Sequence, residues 1–180
     1  MPYIKTVSEE EASGIVADSY RSSRAAVGGI YETSRIISTW PELLKVEEQR
    51  YFTIMLAERN LTRMEKEAIA IAVSKRNDCH YCLEHHKAMF VSAGGDIDTA
   101  TRIEDEPQSP ELPDRLRDMI SFALSQDQSS APVDKMRNNE FSDDELLEII
   151  IVAGFFHDYN LRVSRFGLEL EDWFSEEHAQ

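Results

Sequence analysis

Cysteine is scarce in this chain: two residues among 180, both in a single C-x-x-C. A pair so close in sequence cannot staple distant segments, which excludes the disulfide framework of small secreted proteins and leaves the thiols a local role. Basic residues are also in short supply, with 19 Lys and Arg against 34 Asp and Glu. The resulting formal charge of -15 repels phosphate backbones and anionic lipid surfaces, so neither nucleic acid nor a membrane is an expected partner. No apolar run approaches the roughly 18 residues of a bilayer span. The opening "MPYIKTVSEEEA" lacks the basic-then-apolar plan of a signal peptide, and a cytoplasmic protein is expected. Convincing strand alternation, internal repeats and low-complexity tracts are missing too. At this length, with 42% hydrophobic residues, one substantial core is possible and a single domain over 1–180 is expected.

What the chain does have is helix signal along nearly its whole length. "SEEEASGIVADSYRSSRAAVGG" opens with a capping box, Ser8 with Glu11, and closes at Gly28 and Gly29. "TWPELLKVEEQRYFTIMLAERN" follows, with Pro41 suited to a first helical turn. Thr62 and Glu65 form a second box opening "RMEKEAIAIAVSKRN", which lacks glycine and proline and is apolar on every side, a core helix. Asn77 and Asp78 are good caps for the next helix, which carries both cysteines and runs to Gly94 and Gly95. The three prolines of "EDEPQSPELPD" mark an exposed linker. Helices are expected from about 114 to 125, near 133 to 138, and over 142–166. The last has a third capping box, Ser142 with Glu145, and Phe141 placed for a hydrophobic staple. The fold class is all-α, a compact bundle of roughly six to eight helices. Segments 63–76 and 142–166 are expected to form its core together.

The chemistry concentrates in "NDCHYCLEHHKAMF", residues 77–90. A helix beginning near Cys79 offers that sulfur free N–H groups and a positive dipole end, which favour a thiolate. Cys82 lies one turn on, and His86 four residues beyond it on the same face, where the pair can exchange a proton. His85 falls on the flank of that stripe and is only a possible supporting residue, as is Tyr81, which is expected to pack beside the thiols. His80 reads as a bystander, and His157 and His178 as solvated or satisfied histidines. Two thiols at i and i+3 can close a disulfide, one attacking and one resolving, so the pattern describes a dithiol redox centre. Glu67, on the preceding helix and in apolar company, is a candidate general base that an antiparallel helix pair would bring to the thiols.

"LTRMEKEAIAIAVSKRNDCHYCLEHH" resembles the signature of the carboxymuconolactone decarboxylase and alkylhydroperoxidase (AhpD-like) superfamily, above all its peroxidase-related branch. The likeness extends to "GIYETSRIISTWPELLKVEEQRYFTIML" and to "FSDDELLEIIIVAGFFHDYNLRVSRFGLEL". It implies an AhpD-like helical bundle and a thiol-dependent alkylhydroperoxidase or disulfide reductase of antioxidant defence. Cys82 would react with the hydroperoxide, Cys79 would resolve the product to a disulfide, and Glu67 and His86 would relay protons. An external dithiol or disulfide reductase would restore the pair, no cofactor would be needed, and a homo-oligomer, trimer or hexamer, would form. Tyr81 stands where the family's relay has a histidine, and Asn160, Leu161 and Arg162 stand where the last helix would carry an Asn-Arg pair.

Helix-dipole reasoning makes Cys79 the more acidic thiol, whereas the resemblance gives the attack to Cys82. Zinc is the rival for the same residues, with Cys79, Cys82 and His86 as three ligands and Glu67 or His85 as a fourth. A non-catalytic thiol redox sensor or oligomeric binding protein and a carboxymuconolactone decarboxylase-type enzyme are the other readings, and the C-x-x-C argues against the last.

Overall fold

The computed structural model describes residues 2–174; His178 lies outside them. Among the described residues every regular element is helical. The order is α1 (Gly14–Val27), α2 (Glu32–Arg35), α3 (Pro41–Tyr51), a π-helical turn (Phe52–Leu56), α4 (Arg63–Arg76), α5 (His80–Ser92), α6 (Ile97–Asp105), α7 (Asp114–Leu124), α8 (Ala131–Asn138) and α9 (Asp143–Phe166).

The axis of the fold is α4. Thr62 accepts from the Glu65 N–H while the Glu65 carboxylate accepts from the Thr62 N–H, the capping box expected there. Both ends of this reciprocal cap are satisfied, a contribution of about 1 kcal/mol. From Glu65 to Ser74 every residue of α4 is buried. It packs most extensively on α5 and α9, and also on α6 and α7. With α9, α7 and α8 it encloses a cluster built on Met55, Ile69, Val73, Met119, Ile149 and Phe156. Its opposite face meets α5, α6 and α7 through Ile71, Leu83, Phe90, Ile103 and Ile120. The pairing of 63–76 with 142–166 is thus observed. Lys66 is buried among these apolar neighbours because its Nζ meets Glu148 Oε1 at 2.9 Å and donates to the Ala57 carbonyl at 3.0 Å.

Several boundaries differ from those expected. The Ser8 and Glu11 bonds form, but they close a turn rather than a helix. Helix α1 begins only at Gly14, after Ser13 in extended backbone. Asn77 ends α4 instead of starting α5. Asp78 is left-handed at φ 54°, and Cys79 itself is the N-cap of α5. No element was expected over 97–105, where α6 forms on an Asp96 cap that accepts from the Thr99 N–H at 2.8 Å. Ser142 caps α9 as expected, and Phe141 is buried in the same cluster as Leu146, the staple pair.

Candidate active site

The tight turn between α4 and α5 sets the thiols in place. Left-handed Asp78 reverses the chain, and the Cys79 N–H then donates to the Ser74 carbonyl at 3.0 Å. Cys79 and Cys82 are 3% and 4% exposed, and their Sγ atoms lie 2.6 Å apart, within one hydrogen bond. The pair titrates as a unit. The bond from Cys82 holds the Cys79 thiol below its usual range against the opposing effect of burial, with Ser164 and Asn160 acting in the same direction by less. Cys82 is pushed far up, first by its bond to Cys79 and then by burial. The two directions make Cys79 the more acidic sulfur, the order expected for the thiol at the helix start. A cleft of about 400 Å³ beside the pair is lined by Cys79, Tyr81, Val163, Ser164, Leu168 and Leu170 among others.

Glu67 is fully buried, and its Oε2 lies 2.6 Å from His86 Nδ1. The antiparallel pairing of α4 and α5 makes this contact, joining the two residues that the sequence set 19 positions apart. Apolar company is not the whole of its surroundings: Arg63 Nε meets Glu67 Oε1 at 2.5 Å, and Arg63 also donates to the Tyr51 hydroxyl at 3.0 Å. The carboxylate thus faces a guanidinium on one oxygen and an imidazole on the other. With Nδ1 committed to Glu67, the imidazole Nε2 is the atom left to exchange a proton. The ring packs edge-on against Phe156 at 4.3 Å. Among the described residues no three His, Cys, Asp or Glu side chains converge as a metal site, so the Cys79, Cys82, His86 set is not gathered around a common point.

Residues 41–105, from the start of α3 to the end of α6, match the carboxymuconolactone decarboxylase family. The chain superimposes on an AhpD-core, peroxidase-related protein from Ralstonia eutropha JMP134 with a TM-score of 0.90, covering 99% of this chain and 97% of that one at 20% identity. The chain thus has the AhpD-like all-α fold. A peroxidase-related protein from Silicibacter sp. TM1040 is similar over 98% of this chain and 91% of its own, with a TM-score of 0.83 and 25% identity. The debrominase Bmp8, seen in complex with 2,3,4-tribromopyrrole, shares the fold at 14% identity with a TM-score of 0.79, covering 95% of this chain and 92% of that one. The AhpD-like fold therefore carries more than one chemistry. No curated protein sequence matches the chain.

A second buried network flanks the thiol pair. Glu171, in the segment after α9, accepts from the Tyr81 hydroxyl at 2.6 Å and the Glu32 N–H at 2.7 Å, and its Oε2 lies 2.9 Å from His85 Nε2. His85 also packs against Phe174, with ring centroids 4.1 Å apart. His85 is thus a buried residue bound to Glu171, not merely a residue on the flank of the Cys82–His86 stripe. Tyr81 packs against the pair as expected but spends its hydroxyl on Glu171. His80 is exposed, and His157 lies at the surface 3.0 Å from Asn77. Arg63, Glu171, Ser164 and Asn160 complete the site. Arg63 was findable, since it stands one helical turn before Glu67, the spacing of an ion pair. Glu171 was not, because 86 residues separate it from His85.

Proposed function

We propose that the chain is a thiol-dependent hydroperoxidase or closely related disulfide reductase. The observation that carries this reading is the pair of sulfurs 2.6 Å apart, one of them held acidic, on the helix that one turn further on presents His86 to the buried Glu67 carboxylate. One proton is shared across that distance, so passing it to Cys79 leaves the thiolate on Cys82. In the order the family resemblance implies, the Cys82 thiolate attacks the outer oxygen of the hydroperoxide. The S–O bond forms, the O–O bond breaks, and the departing alkoxide takes a proton supplied through His86 and Glu67 to leave as an alcohol. Cys79 then attacks the sulfenic sulfur, the S–S bond forms, and hydroxide leaves with a proton as water. An external dithiol exchanges with this disulfide and is itself oxidised, restoring both thiols. No organic cofactor enters the cycle.

A homo-oligomer, trimer or hexamer, belongs to the same proposal. Leu147, Ile150, Ile151 and Leu161 form an exposed apolar stripe at helical spacing along α9, and Gly154 on that stripe has open space where a side chain would stand. A non-catalytic thiol sensor is the second reading, favoured by the near-complete burial of both sulfurs.

The test is consumption of cumene hydroperoxide with dithiothreitol as electron donor. Turnover by the metal-free protein is expected, with none from Cys82→Ser. With dithiothreitol left out, Cys79→Ser should stop after one oxidation, leaving a sulfenic acid on Cys82 that dimedone traps. Trapping on Cys79 in Cys82→Ser would reverse the order, and wild-type protein inert with every dithiol would leave the sensor.

A further inference from the structure

The cleft of about 400 Å³ beside the thiol pair has Cys79 in its wall, and the charge along it is of one sign. Asp78 and Glu169 both line it and both are exposed, while no lysine or arginine is among its described lining residues. Val163, Leu168 and Leu170 supply apolar wall. A cleft with one sign of charge and apolar walls focuses the field, so an anion entering it meets more repulsion than either carboxylate would exert in open water. The whole chain adds to that field, with a formal charge of -15.

The carboxylate of Asp78 also stands where its charge works against the chemistry. It immediately precedes Cys79, and a negative neighbour disfavours a thiolate. The backbone does not require it, because asparagine adopts the left-handed φ of 54° as readily as aspartate. Helix α5 accounts for part of it, since a carboxylate just ahead of the Cys79 N-cap suits the positive end of the helix dipole. That role is indifferent to what enters the cleft. The charge is not, for it acts on every reagent that approaches Cys79.

We propose that Asp78, together with Glu169 from the segment after α9, is the charge filter of the thiol cleft: a specificity-determining residue that admits uncharged hydroperoxides and dithiols and turns away those bearing a carboxylate or phosphate. The identity of these co-substrates rests on the thiol redox reading given above. The filter itself acts on any reagent that meets Cys79, whether or not the pair turns over peroxide.

Alkylation of Cys79 in the reduced full-length chain is therefore the test, and an absent peroxidase activity and an absent filter are separate results. Iodoacetamide and iodoacetate deliver the same carbon to sulfur and are nearly equal in size, one neutral and one anionic. The ratio of their rates on Cys79, read by peptide mass spectrometry and divided by the same ratio for 2-mercaptoethanol, cancels thiol acidity and burial. His80 also lines the cleft, so the measurement is made at pH 8, above the usual histidine range. At an ionic strength of about 10 mM the normalised ratio is expected to lie roughly tenfold below one, about threefold for each carboxylate. In about 1 M KCl, where the screening length is about 3 Å, the deficit should vanish. Asp78→Asn keeps the left-handed turn and removes the charge, and should raise the ratio about threefold at low salt. Glu169→Gln should raise it in the same direction. A change in structure alone would alter both reagents alike and leave the ratio where it was. A wild-type ratio of one at low salt, a deficit that survives high salt, or a folded Asp78→Asn protein with the wild-type ratio overturns the proposal. If Asp78→Asn does not fold, Glu169→Gln decides: a raised ratio supports the filter, and an unchanged one overturns it.

Discussion

His85 and His86 are neighbours in the sequence, yet His86 takes its carboxylate from Glu67 on α4 and His85 takes its own from Glu171 beyond α9. Consecutive helical residues point about 100° apart, so two adjacent imidazoles enter separate networks. The first network shares a helix face with Cys82, and the second ties the segment after α9 to α5.

Replacing Glu67 by Gln removes the charge that orients His86 while keeping the shape of the carboxyl. Peroxide turnover is expected to fall by about 10²- to 10⁴-fold, the usual contribution of an acid–base group. His86→Gln should lose a similar factor, and the double variant little more, since the two act as a unit. Steady-state kcat/KM with a dithiol donor checks this.

Cys82 lowers the Cys79 pKa chiefly by hydrogen bonding to it. In Cys82→Ala that donor is gone, and alkylation of Cys79 is expected to require a higher pH than in the wild type. In the wild type, limiting iodoacetamide at neutral pH should label Cys79 ahead of Cys82. Peptide mass spectrometry of the 77–90 segment reads both outcomes.

Burial alone would raise the Glu171 pKa, but bonds from His85 and Tyr81 outweigh it and hold the folded-state value below the ordinary one. The unfolded chain then binds more protons in the window between the two values. The stability this group contributes is complete above the unfolded value of about 4.3 and is lost as pH falls through the lowered folded value. Glu171→Gln should flatten that acid limb and cost about 1–3 kcal/mol at pH 7 through its weakened buried bonds. Urea denaturation between pH 3 and 7 measures both effects.

Lys66 and Glu148 form an ion pair at 2.9 Å with 1% and 7% of their side chains exposed. Lys66→Ala leaves the Glu148 carboxylate only the exposed Arg59, 4.0 Å away, as a cation and is expected to destabilise by about 3 kcal/mol. Replacing both, as Lys66→Met with Glu148→Leu, should recover much of that loss. Chemical denaturation of the three variants tests the pair as a cycle.

The apolar stripe on α9 should be covered in an assembled protein. Ile150→Asp places a charge at its centre and is expected to shift the chain toward monomer with its helical content intact. Light scattering coupled to size exclusion reports the change.

The helices that could be read from sequence were those whose signals are local. Thr62 with Glu65 and Ser142 with Glu145 mark helix starts within three residues, and α4 and α9 begin there. Ser8 with Glu11 carries the same signal without a helix, because Ser13 and Gly14 break the backbone before an apolar face begins. Helix α6 carries little local signal because its buried stripe is short, with only Ala100 and Ile103 buried. In the site, the C-x-x-C and the Glu67–His86 pairing follow from helix spacing and one tight turn. Glu171 and the orientation of Asn160 depend on contacts across more than 80 residues of chain, which no local pattern announces.

Pro2 and Trp173 line one and the same cleft, and the Tyr3 N–H donates to the Phe166 carbonyl at 2.9 Å. The two ends of the described chain therefore meet on one side of the bundle, while residues 125–130 between α7 and α8 are exposed. Circular permutation is the consequence: a short linker joining the ends, with the chain opened in that exposed connection, would reorder the helices and leave the α4–α5 turn and both histidine networks unbroken.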